Sequence, residues 1–145
     1  MMPPRIVLDT NVLVAGLRSN RGASHQLLRQ LGTGLFEHVI SVPLVREYED
    51  ALKRPASRIP LPPTDIEVVL DYLCASGRQQ PIHFLWRPAL SDPQDDLVLE
   101  VAVNGECDAI VTFNTRDFQG AERFGLTVLT PATLLAALRI QGGSR

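Results

Sequence analysis

Short apolar runs, each followed by a stretch with apolar residues at helical spacing, limit this chain to one class of fold. Residues 5–8, 39–42, 108–112 and 126–129 read as strands. Residues 81–86 form a fifth candidate, with Pro81 tolerated only at the start because proline cannot donate to a ladder. Helical segments lie between them. Residues 12–17 continue apolar after the first strand, and residues 24–31 place Leu27, Leu28 and Leu31 on one side. Pro43 opens a helix that Arg54-Pro55 stops, and a capping box, Thr64 to Glu67, opens one that ends at Gly77. Asp92-Pro93 starts a helix reaching Asn104, a short helix spans 118–124, and Thr130-Pro131 caps a last one to about residue 140. Strands joined by helices run parallel, with helices covering both faces of the sheet and right-handed crossovers. In that arrangement the carboxyl ends of the strands line a crevice where strand order reverses, so functional groups are expected just after strands.

At 145 residues there is room for one core, expected over residues 1–141, with a frayed tail at 142–145. Hydrophobic residues at 45% and charged residues at 21% exclude a disordered or fibrous chain. No apolar stretch approaches the roughly 18 residues of a membrane span, and residues 1–8 lack the regions of a secretory signal. A cytoplasmic protein without membrane contact is expected. Cys74 and Cys107 lack Cys-x-x-Cys spacing and read as idle thiols. The net charge of −2 argues against an anionic partner, unless several of the sixteen acids converge on metal ions and leave the rest of the surface more basic. Thirteen of the basic residues are Arg, which suits bidentate phosphate contact and equally fits a GC-rich genome.

Four groups of carboxylates stand where such a crevice would lie. Asp9 follows the first strand with Thr10 and Asn11, a position that also suits a helix N-cap. Asp92, Asp95 and Asp96 crowd one helical turn; a helix N-terminus welcomes one or two acids, but three beside Asp9 invite a cation. Asp117 comes shortly after the strand at 108–112, with Thr112 and Asn114 as polar neighbours. On the helix after Pro43, Glu47 and Glu49 both border the apolar side, and periodicity does not choose between them. Hard oxygen donors without nearby His or Cys suit Mg²⁺ or Mn²⁺. His25, His38 and His83 are scattered and read as surface or core residues.

Taken together, Ile6–Leu13 around Asp9 and Asn11, Val45–Leu52 around Glu47, Asp92–Asp96, and Val111–Phe118 resemble the PIN-domain family over nearly the whole chain. Within it the chain looks like the bacterial VapC-like branch, the toxins of toxin–antitoxin pairs. The resemblance implies a three-layer α/β/α sandwich with a central parallel sheet in order 3-2-1-4-5, metal-dependent ribonuclease activity, homodimers and neutralisation by a small antitoxin. It matches Asp9, Glu47, Asp96 and Asp117 to the family's four acids, with Asp9, Asp96 and Asp117 as metal ligands for Mg²⁺ (or Mn²⁺) and Glu47 acting on the attacking water. Asn11, Asp92, Asp95, Thr112 and Asn114 would support them. Asn114 departs from the Asp common in this branch, which weakens a second metal position. Arg18 and Arg21 are candidates for holding the RNA backbone.

Two other classes compete. A phosphatase or receiver domain with Asp9 as nucleophile needs a later Lys, and the sole lysine, Lys53, falls in the wrong helix. A catalytically silent PIN-fold module holding RNA or a protein is the alternative; the presence of all four acids counts against it.

Overall fold

The protein, seen as a computed structural model, is described over residues 2–83 and 93–143. Strand β1 (Arg5–Leu8) runs into α1 (Thr10–Arg18), and Asp9 between them caps the helix, its carboxylate accepting from the Thr10 N–H. That bond satisfies one of the donors a helix start leaves without a partner. Helix α2 (Ala23–Leu28) packs on α1 and leads to β2 (Glu37–Ile40). Ser41 then caps α3 (Val42–Lys53) through the Leu44 N–H, with Pro43 in the first turn. A 3-10 turn (Pro55–Ser57), α4 (Pro63–Ser76) and the two-residue β3 (Arg78–Gln79) follow. Helix α5 (Pro93–Asn104), β4 (Ala109–Val111), two 3-10 turns (Thr115–Phe118 and Ala121–Phe124), β5 (Thr127–Leu129) and α6 (Pro131–Gly143) complete the described chain.

The five strands form one parallel sheet in the order β3-β2-β1-β4-β5. Successive strand residues point to opposite faces, yet Ile6, Val7 and Leu8 are all buried, so helices cover the sheet on both sides. The α/β class and the strand order agree with expectation. From β1 the chain builds outward first to β2 and β3, then restarts on the other side with β4 and β5. The reversal therefore falls between β1 and β4, whose register pairs Leu8 with Val111 and brings Asp9 beside Thr112.

Several local expectations are corrected. The third strand is Arg78–Gln79, extended by a Gln80 N–H bond to the Ile40 carbonyl, and residues 81–83 are not strand; residues 84–86 of that expectation lie outside the described residues. An exposed edge strand needs no apolar run, so its polar residues hid it from a search for one. Thr64 and Glu67 form no capping box: α4 begins at Pro63, the Pro62 carbonyl takes the Asp65 and Ile66 N–H groups, and Glu67 bonds Lys53 on α3. The segment 118–124 is not a continuous helix: one 3-10 turn ends at Phe118 and a second spans Ala121–Phe124, because Gly120 between them lies at φ +95°, which no continuing helix accommodates. The Asp92 cap lies outside the described residues. Cys107 is a free, buried thiol pushed up to about 12 by burial, and so chemically quiet, while Cys74 is free and partly buried.

Gly77 joins α4 to β3 where the backbone passes against His38. A Cβ there would sit 2.6 Å from His38 Cε1 and 2.8 Å from the Leu73 carbonyl oxygen. His38 is buried and the carbonyl belongs to the helix, so neither moves cheaply. Gly77→Ala is expected to lower stability by about 2–3 kcal/mol, read as a shift in denaturation midpoint. An unchanged midpoint would mean that α4 and β2 separate more easily than their packing implies.

Candidate active site

Asp9 is 8% exposed, and each of its oxygens accepts a bond from a different element. Oδ1 takes the Thr10 N–H at 2.8 Å, and Oδ2 takes the Thr112 hydroxyl at 2.7 Å. Thr112 Oγ1 in turn accepts the Asn114 N–H at 3.0 Å and, more weakly, Asn11 Nδ2 at 3.5 Å. The Asp9 N–H donates to the Val111 carbonyl at 2.9 Å. A buried hydroxyl that donates to the acid while receiving from the next loop ties the ends of β1 and β4 together. Thr112 thus supports Asp9 directly, whereas Asn114 reaches this network through its backbone.

Beneath this junction Tyr48, on α3, donates its hydroxyl to the Leu8 carbonyl. Burial, and then the charge of Asp9, push the Tyr48 phenol well above its ordinary range, so it stays a neutral donor. Tyr48→Phe removes that bond from a buried site, and a stability loss of about 1–3 kcal/mol is expected in chemical denaturation. A change near zero would show that the Leu8 carbonyl is satisfied without it.

A cleft of ≈ 470 Å³ opens at this end of the sheet, and its walls bring together Asp9, Glu47, Asp95 and Asp117. These acids come from the end of β1, the middle of α3, the first turn of α5 and the 3-10 turn after β4. Asn11 and Asn114 line it too. Asp96 is 2% exposed and does not line the cleft; neighbouring helix positions point about 100° apart. Asp92 lies outside the described residues. Glu49 is turned instead to Lys53 at 2.8 Å, and hydrogen bonding to that ammonium holds its carboxyl below the usual range. Lys53 also bonds Glu67 and lines no part of the cleft, which removes the lysine a phosphoryl-aspartate mechanism requires.

Of the two arginines expected to hold a nucleic-acid backbone, Arg18 lines the cleft, anchored by Nε to the Ser57 carbonyl at 2.8 Å. Arg21 is exposed and outside it. Arg54 was missed: it reads in the sequence only as the residue before the helix-stopping Pro55, yet it stands on the cleft wall. His25 bonds the Gly16 carbonyl, His38 is buried against Ser76, and His83 is exposed; none lines the cleft.

Among the described residues no three carboxylate, His or Cys groups are gathered into a ready-made metal cage. Such a cage is not what Mg²⁺ demands: it usually keeps several waters and binds through one or two carboxylates together with substrate phosphate. A cleft walled by hard oxygen donors, with Asp9 held rigidly at its floor by two hydrogen bonds, fits that mode.

Fold and site together define an open parallel α/β protein with an acidic crevice at the switch point of its sheet. A PIN domain model matches residues 5–116, and the chain belongs to the PIN domain family. PIN domains are in general nucleases that use divalent metals. Among solved structures, the chain is similar to one described as VapBC2 from Rickettsia felis bound to a DNA fragment from their promoter. The TM-score is 0.57 at 14% identity, over 87% of this chain and 98% of that one. That likeness concerns the fold. No curated protein shows a significant match to this chain. Among the described residues no helix is long and apolar enough to cross a membrane.

Proposed function

We propose that this protein is a metal-dependent ribonuclease, the toxin of a toxin–antitoxin pair, hydrolysing RNA phosphodiester bonds. The observation that carries the reading is the convergence of Asp9, Glu47, Asp95 and Asp117, distant in sequence, on one cleft at the carboxyl ends of β1 and β4. Asp9, Asp117 and the Asp95–Asp96 pair would hold Mg²⁺ or Mn²⁺. When bound, such an ion acidifies water and neutralises phosphate charge. Glu47 would accept the proton of the water whose oxygen bonds to phosphorus, while the P–O3′ bond breaks and the 3′ oxygen leaves as a hydroxyl after taking a proton from solvent, giving a 5′-phosphate. Arg18 and Arg54 bind the phosphates on either side of the break, and fixing Arg18 through Nε leaves its terminal nitrogens for that purpose.

The toxin role rests on family membership and on the kinship in fold with a VapBC complex. A small antitoxin partner and a homodimer follow from the same reading, as does a cytoplasmic location. Co-purification with the product of an adjacent short gene tests the partnership; a chain found without such a neighbour would be a solitary RNA-processing enzyme.

The activity is tested by incubating purified protein with single-stranded RNA and Mg²⁺ or Mn²⁺, with and without chelator. Failure to cut under either metal would leave the silent binding module as the better account. Two ranked comparisons refine the site. Glu47→Gln is expected to lower cleavage roughly 100-fold and Glu49→Gln hardly at all, since only Glu47 faces the cleft. Asp95→Asn is expected to fall further than Asp96→Asn for the same reason; the reverse order would place Asp96, the acid that matches the family motif, at the metal.

A further inference from the structure

We propose that Phe113 is a stacking platform for an unpaired nucleobase of the RNA strand occupying the acidic cleft; this rests on the ribonuclease reading above. Phe113 leaves β4 two residues beyond Val111 and is 47% exposed, although Val111, Thr112 and Phe118 around it in sequence are buried. Among the described residues it is the one exposed large apolar side chain on the walls of this cleft; the others that surface elsewhere, such as Tyr72 and Phe124, do not line it.

Its backbone is held in place. The Phe113 N–H points to Asn11 Oδ1 at 3.4 Å, and the residue before it, Thr112, is bonded to Asp9. The Phe113 backbone is thereby tied to the same junction as the carboxylate at the cleft floor, and its ring stands on the cleft wall. Neither the core nor the acids need an aromatic ring here. A strand of RNA does: phosphates are drawn by Arg18 and Arg54 in the same cleft, and a base offers a flat face that stacks on Phe whatever its sequence. Bases in a duplex are already stacked on one another, so the platform favours single strands.

The test uses the full chain with Asp9→Asn to prevent turnover, and a fluorescein-labelled, mixed-sequence single-stranded oligoribonucleotide, with its duplex and an abasic strand of equal length. Phe113→Ala is expected to weaken binding of the base-bearing single strand roughly ten-fold, while Phe113→Trp retains it. The abasic strand and the duplex should bind both variants alike. Binding of the base-bearing strand that is indifferent to Phe113→Ala would overturn the proposal, as would an equal loss on the abasic strand, which would mark a structural defect. Cleavage by the parent protein in Mg²⁺ is read separately. Base-dependent binding through Phe113 without cleavage would sink the nuclease reading and leave the platform standing.

Discussion

Asp9→Asn is expected to lower metal-dependent cleavage of single-stranded RNA by roughly 100- to 1000-fold while the protein stays folded. Asn caps a helix about as well as Asp, so the bond to the Thr10 N–H survives. The amide nitrogen then faces Thr112 Oγ1, which already accepts the Asn114 N–H and, weakly, Asn11, so the bond from Thr112 to position 9 is lost and the junction of β1 and β4 loosens by about 1–3 kcal/mol, less than the roughly 5–15 kcal/mol that holds a domain folded. What disappears is the negative charge at the cleft floor, on which cation binding depends. Circular dichroism and thermal melting check the fold, calorimetric titration with Mn²⁺ checks the site, and cleavage checks the chemistry. Undiminished turnover in a preparation free of contaminating nuclease would remove Asp9 from the reaction.

Acidification should destabilise this protein through one side chain on β2. His38 is 2% exposed, its Nε2–H donating to Ser76 Oγ at 3.2 Å while the Ser76 hydroxyl donates to the Tyr72 carbonyl. Nδ1 is buried with no hydrogen-bond partner among the described residues. Protonation would put a charged, unpaired N–H there, and burial lowers the His38 pKa to about 4, against a smaller raising influence of Glu37. The folded value lies below the unfolded 6.5, so the unfolded chain takes up the proton first. This contribution is present in full above pH 6.5 and is lost as pH falls through the window to 4. The whole window amounts to about 3 kcal/mol, with roughly 2 kcal/mol gone by pH 5. Urea midpoints measured from pH 7.5 to 5 should drop accordingly, and His38→Gln should flatten the profile. An equally steep profile in the variant would assign the slope to other groups.

Much of the architecture was legible because burial on both faces leaves a one-dimensional mark. Ile6-Val7-Leu8 and Ala109-Ile110-Val111 are continuous apolar runs for that reason, and Pro43, Arg54-Pro55 and Gly77 punctuate α3 and α4 through constraints local to the backbone. The edge strand at Arg78–Gln79 was not, since its pairing with Val39 and Ile40 is made by backbone groups that every sequence possesses. Gly77 looked like a simple helix stop; that it also lets α4 pass against His38 is a matter of three-dimensional contact.

The amino-acid sequence by itself determined which carboxylates were available and that Asp9 and Asp117 would stand after strands, because strand and helix periods are written in neighbouring residues. Tertiary structure alone decided which of each pair of nearby acids lines the cleft: Glu47 and not Glu49, Asp95 and not Asp96. It also brought in Arg54 and turned Phe113 outward. The physical reason is that facing depends on the rotation of each helix about its axis and on the side chains packed against it from elements far along the chain, and neither is encoded in spacing.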